Sequence, residues 1–343
     1  MTAPPPSKAA RILKRTLMGS TLVACVAGLL FWTSRSEDGH PILFAGSAIL
    51  LVALWETSRM GTLALRDFLP ALLIPAIGVI RLGSAAIEGS GTGFALAYAS
   101  SAALAAAAYA MLFSLRRLAR GILIARVLTY LVLGAIVLFV TDEPSQVRDR
   151  LGPGALALAI LLATSLPFVL RQPGAGRGLA ITVGLAIWIA PPLPALWYVW
   201  DAWSIGGLVA LLVCSKIGDT AGYYVGSAIG RHHPFPRISP GKTTEGCLGS
   251  FAAATLAGGA SVALDLLPGD LVHGLLAGAV VNLAAQAGDL LESFVKRRAG
   301  VKDSSAMLGP SGGLLDQIDS LLLSVPVALA LWPWILHAHA GSH

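Results

Sequence analysis

Apolar residues along this 343-residue chain run in long unbroken blocks and do not alternate with polar ones. The blocks predict eleven helical spans, at residues 16–33, 41–56, 68–81, 94–114, 122–140, 154–170, 178–199, 205–228, 246–264, 271–294 and 314–336. Several approach ~20 residues, the length a helix needs to cross a hydrocarbon core of ~30 Å. Continuous hydrophobicity argues against a membrane β-barrel, whose strands alternate. The pattern predicts an all-α fold, a polytopic transmembrane helical bundle of about 9–11 membrane helices. The second and third blocks are short, so a hairpin there is expected to be partly re-entrant or interfacial. The eighth to tenth are rich in Gly and other small residues, as closely packed membrane helices are.

Composition sharpens this picture. The chain is 55% hydrophobic and 12% charged, with a mean hydropathy of +0.75, far more apolar and less charged than a soluble domain. The net charge of +6 reads as the positive-inside bias and not as a nucleic-acid footprint. With the N-terminus cytoplasmic and eleven alternating spans, 19 of the 24 Lys and Arg fall on the cytoplasmic side. Four fall on the other side, and Lys216 lies within a span. Lys8, Arg11, Lys14 and Arg15 before an apolar run resemble a signal peptide. The run is too long and lacks a small-residue cleavage site, so it is predicted to stay as the first membrane helix. Cys25, Cys214 and Cys247 are far apart and imply neither a disulfide framework nor a metal site. His232, His233, His337 and His339 read as non-ligands. Residues 1–200 read as scaffold helices and 201–343 as the part that carries chemistry. Glu56, which ends the second span, reads as a charge at a helix end.

Polar residues gather in one late stretch. Asn282, Gln286, Asp289, Ser293 and Lys296 recur at steps of four and three, which places them on one helical face. Asp316 and Asp319 share a face of the next helix. Between them, Gly309-Pro310 and Gly312-Gly313 break the helical pattern. Two helices that aim carboxylates at each other across a cationic loop attract a hard divalent cation such as Mg²⁺. Lys and Arg beside it suit phosphate oxygens. Ionisable residues on apolar helices are costly to bury, and so point to function.

A second constellation precedes it. Ser215, Asp219, Tyr223 and Gly226 form a helical stripe, and Lys216 is placed to pair with Asp219. The loop from Ile238 to Gly246 joins Gly, Lys242, Ser239, Thr243 and Thr244 ahead of a helix. It can offer backbone N–H groups and a cation to phosphate, although it lacks the spacing of a Walker A loop.

The late stretch resembles the signature of the phosphatidate cytidylyltransferase (CDP-diacylglycerol synthase) family. The matching positions are Ser293, Lys296-Arg297, Lys302-Asp303, Gly312-Gly313, Leu315-Asp316 and Asp319-Ser320. Ser311 stands where the family usually has His, and Gln317 where it usually has Arg. Ser239, Pro240, Lys242, Thr243, Glu245 and Gly246 resemble an earlier family element, the Asp219 segment resembles another, and Glu56 in the run ALWETSRM weakly resembles a family Leu-Tyr-Glu element. The resemblance covers roughly residues 200–325 by motif and the N-terminal half by hydropathy.

The resemblance implies transfer of CMP from CTP to phosphatidic acid, giving CDP-diacylglycerol and pyrophosphate. It implies an integral inner (cytoplasmic) membrane protein with the site facing the cytoplasm. The implied cofactor is Mg²⁺, with a second cation left open. Asp289, Asp316, Asp319 and Asp219 are then the candidate metal ligands. Asp289, Asp316, Lys296 and Asp303 are the candidate catalytic residues. Lys242, Thr243, Ser239, Arg297, Lys302 and Ser293 are the candidates to hold nucleotide and lipid phosphate. A homodimer through the small-residue helices is left open. Two other readings stand beside this one. A CTP-dependent enzyme with another lipid acceptor is kept open by Ser311 and Gln317. A secondary transporter is suggested by Lys216 and Asp219 within a Gly-interrupted helix.

Overall fold

A computed structural model describes residues 8–63, 65–73, 76, 101–110, 112–113 and 174–336. These residues are helical wherever they are regular. The helices are α1 (Lys8–Ser34), α2 (His40–Arg59), α3 (Ser101–Ala110), α4 (Ala175–Ile189), α5 (Leu196–Ile229), α6 (Thr244–Ala263), α7 (Leu271–Ala299), α8 (Leu315–Ile318) and α9 (Leu321–Ile335). Five segments among the described residues are long and apolar enough to cross a membrane: α2, α5, α6, α7 and the run Leu315–Ile335. The chain is an integral membrane protein of helical type. The predicted spans 122–140 and 154–170 lie outside the described residues, as do half of 68–81 and part of 94–114. The tail histidines His337 and His339 lie outside them too.

The chain divides into two compact units. One comprises Met1–Ala64 and Ala195–His343, the other Leu65–Pro194. In the second unit, Phe68 stacks on Tyr109 with ring centroids 4.7 Å apart. Ser101 donates to the Ala186 carbonyl of α4 at 3.2 Å. The first unit holds α1, α2 and α5 to α9. In it α5 packs on α6, α6 on α7, and α7 on α9, while α2 leans on α5.

The predicted span 178–199 is corrected. Its helix stops at Ile189, and a run of turns follows to Ala195. Pro191, Pro192 and Pro194 lack the amide protons that helix continuation needs, which accounts for the break. The next helix starts at Leu196, earlier than the predicted 205, and is bent where Trp203 and Ser204 leave helical geometry. Ser204 has a φ of 54°, uncommon for a residue with a Cβ. The bend sets the Trp203 ring edge-on to Trp332, 5.2 Å away.

The remaining ends follow local chemistry. The α1–α2 turn uses Gly39 at φ 62°, where no Cβ fits against the Trp200 ring. The Trp197 indole donates to the Asp38 carbonyl at 2.9 Å and fastens this turn to α5. Thr243 caps α6. Asp270 caps α7, and the His273 amide it receives holds its carboxyl below the usual carboxylate range. Gly300, at φ 75°, closes α7.

The expectation of close packing among small-residue helices is met between α6 and α7. A Cβ on Gly258 would come within 2.6 Å of the Gly278 nitrogen. Backbones this close gain dispersion contact where lipid supplies no hydrophobic drive between helices. Gly278→Val is expected to push α6 and α7 apart at a cost of about 1–3 kcal/mol. A fall in Tm of the detergent-solubilised chain would register it, and an unchanged Tm would contradict this contact.

Candidate functional site

The polar face of α7 is the backbone of the site, and each of its predicted members finds a partner. Near the middle of the helix, Asn282 donates to the Ser250 hydroxyl of α6 at 2.9 Å. Gln286 donates to Asn282 at 2.6 Å and to the Cys247 carbonyl at 3.2 Å. This buried amide chain fixes the rotation of α7 against α6. One turn further on, Asp289 pairs with Lys242 at 2.7 Å and accepts from Ser293 at 3.4 Å. Next, Lys296 is gripped by two carboxylates, Glu292 one turn back and Asp316 of α8, the latter at 2.7 Å.

Asp316 is heavily supplied with donors. Beyond Lys296 it accepts from the Ser304 amide and hydroxyl, both at 3.0 Å, and from the Gly313 amide at 2.6 Å. Its oxygens are thus occupied by protein groups. Asp319, three residues later, accepts among the described residues from its own neighbour alone, the Ser320 amide, at 2.6 Å. Gly288 lies directly on this turn: a Cβ there would stand 2.5 Å from the Asp319 carbonyl oxygen.

Oxygen atoms of Asp289, Glu292 and Asp319 lie within 4.8 Å of one another. The Glu292 side chain is 1% exposed. Apart from its ion pair with Lys296, it accepts no hydrogen bond from a described residue. Asp219 lies within electrostatic reach of both Asp289 and Asp319. Three lysines, Lys216, Lys242 and Lys296, therefore meet five carboxylates, those of Asp219, Asp289, Glu292, Asp316 and Asp319. A buried carboxylate with too few donors and a surplus of negative oxygen ligands suit a hard divalent cation. The trio differs from the predicted ligand set. It adds Glu292 and leaves out both Asp219 and Asp316, the latter holding Lys296 instead.

A cleft of about 430 Å³ opens beside these carboxylates. Its walls are the small residues of α5 (Gly218, Gly222, Gly226) and of α6 (Gly246, Ser250), with Lys242 and Asp289 at one side. Glycines make this space: a Cβ on Gly222 would stand 3.1 Å from the Gly246 carbonyl oxygen. The predicted Lys216–Asp219 pair is present at 3.5 Å, but Lys216 reaches Ser320 more closely, at 2.8 Å. Of the predicted stripe on α5, Ser215 is buried while Tyr223 is exposed.

The remaining predicted residues divide. Thr243 is buried and its hydroxyl accepts from the Gly246 amide at 3.1 Å, which makes it the cap of α6. The Ser239 carbonyl accepts from the Lys242 amide at 3.1 Å and so turns the loop toward the cleft. Arg297 spans the Ile238 and Val301 carbonyls at 3.3 and 3.1 Å. Lys302 and Asp303 are exposed on the loop after α7. Glu245 accepts from the amides of Arg231 and His232 and sits 2.6 Å from the His232 ring nitrogen, shaping the same loop from its other end. Gln317 turns back to donate to the Ser311 carbonyl at 2.8 Å, so the two residues that differ from the family pattern engage each other.

Two carboxylates of this region lie outside the predicted site residues. Glu292 lies four residues before Lys296, a pairing that the helical i,i+4 rule could have flagged. Glu56 was read as a charge at a helix end. The structure instead buries it, 1% exposed, among donors from the loop that follows α7.

Helices that bring mutually paired acids and lysines together beside a cleft define an integral membrane protein with a charged site. The chain belongs to the cytidylyltransferase family, whose model matches residues 13–334. It is 41% identical over 111 residues to the phosphatidate cytidylyltransferase of Aquifex aeolicus, covering 32% of this chain and 41% of that protein. It is 38% identical over 127 residues to the phosphatidate cytidylyltransferase of Pseudomonas aeruginosa (37% and 47%). It is 37% identical over 156 residues to that of Mycobacterium leprae (44% and 49%). An uncharacterized Escherichia coli protein, YnbB, is 39% identical over 117 residues (34% and 39%). The chain thus spans less than half the length of these curated relatives.

Gly313 tests how tightly the loop is built. A Cβ there would stand 2.5 and 2.7 Å from the two Glu56 oxygens. Gly313→Ala is expected to destabilise the chain by about 1–3 kcal/mol and to lower its Tm. A variant as stable as the parent would show that the loop has slack.

Proposed function

We propose that the chain transfers CMP from CTP to phosphatidic acid, releasing pyrophosphate and forming CDP-diacylglycerol. The observation that carries this reading is the Lys242–Asp289 pair at 2.7 Å, because it joins the cleft of α5 and α6 to the buried carboxylates of α7. Family membership and the names of the relatives support it.

An oxygen of the lipid phosphate attacks the α-phosphorus of CTP. The new P–O bond forms as the bond to the bridging oxygen breaks, and pyrophosphate leaves with that electron pair. The acceptor is already anionic, so no side-chain nucleophile or proton transfer is required. The protein supplies position and charge neutralisation. Lys242 and Lys296 would lie against phosphate oxygens, with Arg297, Lys302 and Asp303 at the mouth of the site. Asp289, Glu292 and Asp319 would hold a Mg²⁺ ion, with Asp219 beside them. Bound there, the ion would neutralise charge on phosphate oxygens. Asp316 would keep Lys296 in place. Ser239, Thr243 and Ser293 would shape the loop and the α7 face that hold these groups. The charge distribution of the sequence supports a cytoplasmic site in an inner membrane, where CTP is available. The small-residue packing leaves room for a homodimer.

The test follows label from α-labelled CTP into extractable lipid with phosphatidic acid present, with and without Mg²⁺. Metal-dependent labelled lipid and free pyrophosphate are expected. Transfer of γ-label would mean a kinase, and no transfer from folded protein would turn the reading toward transport. Asp289→Asn and Glu292→Gln are expected to weaken Mn²⁺ binding and lower turnover by roughly a hundredfold, the upper end for ligand-shell changes. Asp316→Asn is expected to lower turnover with a smaller effect on Mn²⁺ affinity. Equal Mn²⁺ loss in all three would return Asp316 to the ligand set.

A further inference from the structure

Glu56 belongs to α2, some 250 positions before the residues it touches. Its two oxygens accept three hydrogen bonds and share a fourth donor, the single Ser304 hydroxyl proton, with Asp316. Ser305 and the Leu314 amide reach one oxygen at 2.6 and 2.9 Å. Ser304 and the Leu315 amide reach the other at 3.3 and 2.8 Å. All four donors lie on the segment that carries the chain from α7 into α8. Glu56 neither lines the cleft nor belongs to the carboxylate trio.

One of these donors does double duty. The Ser304 hydroxyl lies 3.3 Å from Glu56 and 3.0 Å from Asp316, while the Ser304 amide also donates to Asp316. Gly313, whose amide completes the Asp316 shell, is pressed between Ser304 and Glu56. The contacts run in series: Glu56, Ser304, Asp316, Lys296.

We propose that Glu56 is a positioning residue for the transfer reaction. It holds the loop so that Ser304 and Gly313 aim their donors at Asp316, and Asp316 then draws Lys296 away from exclusive pairing with Glu292. Without this arrangement Lys296 stays on Glu292 and competes with a cation for that carboxylate. The inference rests on the proposed function for what Lys296 and the trio do, but its geometric content is independent of the substrate.

The test uses the full chain in detergent and the variants Glu56→Gln, Ser304→Ala and the double variant. Gln keeps the volume of Glu, but its NH₂ must face a backbone N–H of Leu314 or Leu315, donor against donor. Three quantities are measured: Tm, kcat and KM for CTP, and the Mn²⁺ dissociation constant without substrate. Each single variant is expected to lose about tenfold to a hundredfold in kcat per folded molecule, with KM for CTP changed less than about threefold. The double variant is expected to lose no more than the worse single one, because both act through one link. Mn²⁺ binding is expected to weaken in both.

If only Tm falls while kcat of the folded fraction holds, or if the losses multiply, Glu56 is a packing residue and the inference is overturned. Should Glu56→Gln fail to fold, Ser304→Ala alone decides on the same kinetic terms. A wild-type chain that transfers no label defeats the proposed function. Mn²⁺ affinity then decides for Glu56, and unchanged affinity in both variants overturns it.

Discussion

A charge inside an apolar bundle must be matched or it will not stay there. That constraint organises this protein. Asp289 is met by Lys242, Glu292 and Asp316 by Lys296, and Asp219 by Lys216. The lysines come from three different places: α5, the loop before α6, and α7. Lys242–Asp289 and Lys296–Asp316 tie one element to another, while Lys216–Asp219 and Lys296–Glu292 each lie within one helix, so part of the electrostatic need of the site also holds the bundle in register. The match is incomplete, since carboxylates outnumber lysines, and the incompleteness is where a cation and phosphate chemistry find their opening.

Small residues provide the space in which these pairs operate. Asn282 and Ser250 meet across α6 and α7 only because Gly218 leaves room beside them. The same economy of volume along α5 opens the cleft at Gly222 and Gly226. Glycine serves close backbone approach in both places, Gly258 against Gly278 and Gly222 against the Gly246 carbonyl beside the cleft.

What could be read from the sequence was local and periodic. The stripe from Asn282 to Lys296 was legible because 3.6-residue periodicity translates directly into a face, and every member of it is engaged. The apolar blocks gave the helical membrane class for the same reason. The end of α4 was not legible to a hydropathy window, which averaged over Pro191, Pro192 and Pro194. Glu56 was visible only as a helix-end charge with a weak family likeness, because its partners lie about 250 positions away and no period spans that distance. Glu292 fell between: its spacing to Lys296 was visible, but its burial without other donors appears only when α8 and α9 close over it. The role of Asp316 likewise depended on the loop before it, whose amides converge on a carboxylate through turns that the motif spacing does not encode.

The backbone contact at Gly288 has a mechanical meaning. Asp289 stands on α7 and Asp319 at the junction of α8 and α9, and their backbones are held close by the main chain of Gly288 lying against the Asp319 carbonyl. Main-chain contact does not respond to ionic strength or protonation as ion pairs do. The spacing of the two backbones that carry these acids is therefore set by covalent dimensions and not by the lysines around them.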